Sequence, residues 1–179
     1  MSIQEKVQAI YKDHQVKPYI SPERDLASWL LEAKPVPKRN MILLEEGLLP
    51  GDIILLWRIN FGTFTTTTPY SKYFEYTYGI NGSDHMDYLV QEGYVYVESA
   101  FESLDHITST AKKSILKTEG VTGLSKMKAT DLDQALKEYM TEEQLAPYFA
   151  VRGYALTEKG KLTLEKYPEV IDKHPKKKI

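Results

Sequence analysis

The feature that most constrains this chain is a pair of short apolar stripes at helical spacing between Ser103 and Met140. Ala111 and Ile115 sit four residues apart, with Ile107 one turn earlier, which is one apolar face of a helix. Gly120 stops that run, because glycine tolerates the left-handed geometry found just past a helix end. After the intervening loop, Leu132, Leu136, Tyr139 and Met140 rebuild an apolar face. Two helices this short bury little alone, so they must fold on each other and on their neighbours. The segment therefore reads as helix, extended loop, helix, with lysines at Lys112, Lys113, Lys117, Lys126 and Lys128.

The spacing of Leu116-Lys117, Gly120, Leu124, Met127-Lys128, Asp131-Leu132 and Leu136 resembles a SAP motif. It is equally similar to the helix–extended-loop–helix at the N-terminus of transcription terminator Rho. The interval from Gly120 to Asp131-Leu132 is closer to the Rho type. The resemblance covers about a fifth of the chain, and motifs of this length are degenerate. It implies a nucleic-acid role: duplex DNA for SAP, an accessory part beside RNA binding for Rho. The closing text YALTEKGKLTLEKYPEVIDKHP also resembles SAP-containing proteins of Gram-positive bacteria and their phages, without supplying a function.

The residues make a separate physical case. Lys113 and Lys117 are one helical turn apart with Lys112 beside them, while Lys126 and Lys128 come from the loop and the start of the second helix. Residues 105–128 set these five lysines against Asp105 and Glu119 alone. Backbone amides of Thr122, Gly123 and Ser125 can approach a phosphate where side chains are small. Such contacts position a protein but read no sequence. If all five lysines engage, log affinity should fall with log salt at a slope of about −4 to −5. The competing interpretation is a solvated lysine face.

Charge bounds this proposal. A net charge of −2 counts against a strong polyanion binder. The charge is uneven, however: residues 1–104 carry nine basic and fourteen acidic side chains, and residues 105–179 fourteen basic and eleven acidic. Any polyanion contact thus belongs to the C-terminal part, where Lys176-Lys177-Lys178 could add nonspecific affinity. The absence of cysteine excludes disulfides, thiolate zinc sites and cysteine nucleophiles. Gln4, Glu5 and Lys6 interrupt any signal sequence, and the apolar run Ile53 to Trp57 is far too short to cross a bilayer. The expectation is a soluble, cytoplasmic protein with no membrane partner.

Along the chain, Ser2-x-x-Glu5 is a capping box before Val7, Ile10 and Tyr11. Ser21-Pro22-Glu23 opens a second helix buried through Leu26, Trp29, Leu30 and Ala33, and residues 34–39 read as a linker. Residues 53–59 suit strand or helix by periodicity, and the helix is favoured because no pairing strand is evident nearby. Thr63 to Thr68 reads as a surface loop. Pro69 opens a helix through Tyr76, Ser83 caps the next with Met86, Leu89 and Val90 inward, and Tyr94 to Val97 is a strand. Helix, turn, helix, strand is a winged-helix order. The crowded aromatics there, Tyr70 to Tyr96, read as packing rather than base stacking, since the section is acidic. Thr141-x-x-Gln144 is a second capping box, and Thr157 caps a helix carrying Leu162 and Leu164.

Chemistry is sparse. The cluster Asp84-His85 with Asp87 lacks a second histidine at ligand spacing and reads as first-turn polar residues. No G-x-S-x-G elbow, P-loop or dinucleotide glycine motif occurs, so neither catalysis nor a cofactor is expected. Carboxylates distant in sequence can still meet in space. The expected fold is mainly α with a few short strands: an N-terminal arm and linker (1–39), a winged-helix-like region (40–102), a SAP/Rho-N-like module (103–140) and a C-terminal helical extension (141–179). The expected function is noncatalytic nucleic-acid binding, DNA first and RNA second. The alternative is a protein-interaction or assembly adaptor, phage-related, without nucleic acid.

Overall fold

A helix that is apolar on every face is stable only when covered on every side. Residues 53–59 form a helix that approaches this, apolar but for Arg58, and for that reason periodicity could not classify them. The computed structural model describes residues 2–32 and 34–175. Among the described residues the chain is mainly helical with one two-stranded sheet. Its first helices are α1 (Ile3–Ile10), α2 (Leu26–Glu32), α3 (Pro50–Asn60), α4 (Tyr73–Tyr76) and α5 (Gly82–Gln91), followed by strand β1 (Val95–Val97). Then come α6 (Ser109–Thr118), α7 (Ala129–Tyr139), α8 (Glu142–Leu145), strand β2 (Tyr154–Leu156), α9 (Glu158–Lys166) and α10 (Pro168–Asp172). None of these helices is long and apolar enough to cross a membrane.

The chain divides into two compact units. Unit 1 comprises Met1–Asn60, Pro69–Val95 and Leu156–Ile179, and unit 2 comprises Phe61–Thr68 and Tyr96–Ala155. The opening segment groups with unit 1, and both units are assembled from stretches distant in sequence. In unit 1, Ile53, Ile54, Leu55 and Leu56 of α3 are fully buried, with α5, α9, α10 and the 3-10 turn Lys38–Met41 packed around them. Asp52 enters the first turn of α3 and accepts the Leu49 N–H at 2.8 Å, so it closes the helix from inside rather than standing at the cap.

Several local expectations change for identifiable reasons. The second helix starts at Leu26, not Pro22, because the Asp25 carboxylate accepts from the Ser28 N–H and hydroxyl. The supposed linker is tied down, with Val36 buried and its N–H donated to the Tyr11 hydroxyl at 3.1 Å. Asn81, not Ser83, caps α5 by accepting from the Asp84 N–H. On α9 the inward residues are Gly160 and Thr163, while Leu162 is exposed. Gly160 lies against the Tyr94 carbonyl, an approach that a side chain would block. Pro168 opens α10 just after α9 has ended at Lys166. Ala33 and Lys176-Lys177-Lys178 lie outside the described residues.

Unit 2 corrects the threonine loop. Phe64 is buried, the Tyr154 N–H donates to the Phe64 carbonyl at 3.0 Å, and the Thr66 N–H donates to the Arg152 carbonyl at 2.8 Å. Thr63 to Thr68 is therefore held along residues 152–154 by backbone hydrogen bonds, which composition does not reveal. Ala100, Leu104, Ile115, Leu116, Leu132, Ala135, Leu136, Met140 and Leu145 make the core of this unit. Glu142 secures one end of it, its carboxylate accepting the Ala100 and Phe101 N–H groups at 3.0 and 3.1 Å.

Glu98 in unit 2 carries a pH dependence. Burial, then the Asp105 charge, holds its carboxyl above the usual glutamate range, against the pull of His106 3.5 Å away. A carboxyl raised on folding binds its proton more tightly in the native state. Its stabilising contribution is present below the unfolded value and lost as pH rises through the folded one. Glu98→Gln should therefore gain stability relative to the parent between pH 4 and pH 7, read by urea unfolding. An identical difference at both pH values would remove this account.

Candidate nucleic-acid interface

The helix–extended-loop–helix is assembled from local rules. Thr108 caps α6 by accepting the Ala111 N–H at 3.1 Å. At the other end Gly120 adopts φ 84°, the Gly120 N–H reaches the Lys117 carbonyl and the Val121 N–H reaches the Leu116 carbonyl, both at 3.0 Å. This paired closure requires a left-handed residue, which is why a glycine stands there. The chain then runs through Gly123, at φ 78°, into the 3-10 turn Leu124–Lys126. Before α7, the Lys128 N–H donates to the Asp131 carboxylate at 3.0 Å, an acid in the first turn reaching back to the cap. Leu116 with Leu132 and Leu136 joins the two helices in one core.

The inward stripe of α6 differs from the expected one. Ile107 precedes the helix, and the buried positions are Lys112, Ile115 and Leu116. On α7, Ala135 is buried where Tyr139, 61% exposed, was expected. Lys112 thus leaves the set of phosphate-contacting candidates: it is 6% exposed and its Nζ lies 2.7 Å from Asp133. Its position three and four residues before Ile115 and Leu116 places it on their face, a signal legible in sequence but obscured by its charge. Lys112→Ala should destabilise unit 2 by about 1–3 kcal/mol, since Asp133 loses its partner while retaining partial access to water. The same change should leave the salt dependence of any nucleic-acid binding untouched, which a titration of the variant checks.

The remaining candidates differ in kind. Lys117, Lys126 and Lys128 are exposed and Lys113 is half-buried. Among the described residues no ion pair holds any of the four. Lys113 and Lys117 share the flank of α6 turned away from its buried stripe. Of the acids nearby, Glu119 receives the Tyr148 hydroxyl at 2.8 Å, and Asp131 is engaged with the Lys128 amide. Thr122, Gly123 and Ser125 are exposed, and the Thr122 and Gly123 N–H groups have no acceptor among the described residues. Ser125 sits in the first turn of its 3-10 segment, where an amide has no partner within the turn.

The histidine cluster resolves otherwise. His85 Nδ1 lies 2.6 Å from buried Asp52, a pair between residues 33 apart that local spacing does not disclose. Asp84 and Asp87 are exposed and turned from it. Among the described residues no three such side chains gather to hold a metal ion. Compared with protein-family models, with curated proteins and with solved structures, the chain matches none of them.

Proposed function

We propose that unit 2 binds nucleic acid through phosphates, duplex DNA first and RNA second, without catalysis. In this reading α6, the extended loop and α7 act as a SAP/Rho-N-like module. The order α4, α5, β1 acts as a winged-helix-like element whose strand finds its partner in β2. The observation that carries the proposal is the division among the lysines. Lys112 is neutralised by Asp133, whereas Lys113, Lys117, Lys126 and Lys128 remain outside ion pairs among the described residues. Amides of Thr122, Gly123 and Ser125 would orient the phosphates that these four attract.

The testing experiment is a titration against duplex DNA, single-stranded DNA and RNA at two salt concentrations. Four contacts give a slope of about −3.6 on a duplex, or about a hundredfold loss of affinity between 50 and 200 mM salt. A flat response rejects the mechanism even where some binding is seen. The adaptor reading is favoured by one observation, the exposure of Leu31 at 89% on α2. It predicts no salt-dependent binding to any of the three nucleic acids.

A further inference from the structure

Unit 1 contains a cavity of about 100 Å³ whose described lining includes two cations and no carboxylate. Arg39 and Lys173 line it together with Asn40, Thr77 and Tyr78. Asn40 and Tyr78 are 7% and 3% exposed, and since the Tyr78 hydroxyl is engaged with His174 Nδ1, Asn40 is the buried polar side chain with hydrogen-bonding capacity to spare. The Asn40 carboxamide nitrogen donates one hydrogen to the Thr77 carbonyl at 2.9 Å, and its second has no acceptor among the described residues. Neither Arg39 nor Lys173 joins an ion pair among the described residues. Lys173 follows the C-terminal end of α10, where a cation is favoured by the helix dipole. That explanation does not extend to Arg39, which lies in the 3-10 turn Lys38–Met41.

We propose that this cavity is a binding site for a single tetrahedral oxyanion, the phosphate group being the natural occupant. A cavity of about 100 Å³ has room for one such group. Arg39 and Lys173 supply the charge, and the spare Asn40 hydrogen supplies a neutral donor. Arg39 and Lys173 are themselves exposed, so their attraction for an anion is screened by salt, while buried Asn40 fixes the position of the contact. The site lies in unit 1 and does not depend on the lysines of unit 2.

The test is calorimetric titration of the full chain with inorganic phosphate, against chloride at matched ionic strength. Saturable binding with half-saturation at about 1 mM or below is expected. Arg39→Gln and Lys173→Gln should each weaken it at least tenfold, while Lys161→Gln, which removes the same charge from an exposed position on α9, should leave it unchanged. Thermal unfolding verifies that each variant is folded. A second arm compares an oligonucleotide carrying a 5′-phosphate with its unphosphorylated twin. A gain that disappears in Arg39→Gln identifies the occupant as a chain end, and binding of inorganic phosphate alone identifies a free ion. Either supports the site. A response equal to that of chloride, or variants that bind phosphate as the parent does, would overturn it.

Discussion

Replacing Lys113, Lys117 and Lys128 together by glutamate is expected to abolish retention on duplex DNA while leaving helicity unchanged. Three of the four candidate contacts become repulsive, so affinity at 50 mM salt should fall by at least about a hundredfold. All three side chains lie outside ion pairs among the described residues, so their replacement breaks no ion pair. Lys128 sharpens the experiment. It stands at the N-cap of α7, the end of a helix where positive charge is disfavoured and where a hydroxyl or carboxylate caps better. Lys128→Ser alone should therefore raise the melting temperature and weaken binding. A gain in stability without loss of affinity would show that Lys128 contacts no phosphate. Retention of the triple variant on DNA, measured by gel shift beside circular dichroism, would end the proposal.

Leu116→Ala should be the most destabilising single change in unit 2, at about 2–5 kcal/mol. Leu116 is fully buried, it sits in one core with Leu132, Leu136 and Leu145, and its carbonyl accepts the Val121 N–H that closes α6. Truncation opens a cavity at the point where both helices and the loop are joined. Tyr139→Ala is the control, since a ring 61% exposed should change stability by about 0.5 kcal/mol or less. Urea unfolding compares the two. Similar small effects from both would mean that the core described for unit 2 does not hold it together.

The Ser2 cap, the capping box at Thr141 and the closure at Gly120 were legible because each is decided within a few neighbouring residues, whereas residues 53–59 needed their surroundings to settle as a helix. Helix starts at Ser21 and Ser83 were misplaced by one mechanism: several residues nearby could cap, and the one chosen depends on which side chain turns inward. Thr63 to Thr68 looked like surface because its hydrogen-bonding partners, residues 152–154, lie far away in sequence. Lys113, Lys117, Lys126 and Lys128 stand outside ion pairs among the described residues, whereas Lys112 is buried because burial follows position on a helix face before it follows charge.

By itself, then, the chain determined that the fold is mainly helical, that a glycine ends α6 and which part carries the basic excess, since spacing and side-chain type settle these locally. Tertiary structure alone decided that Lys112 belongs to Asp133, that His85 belongs to Asp52 and that Arg39 meets Lys173 around a cavity. Those pairings join residues 21, 33 and 134 positions apart. Only packing brings such groups close enough for charge and hydrogen bonding to act between them.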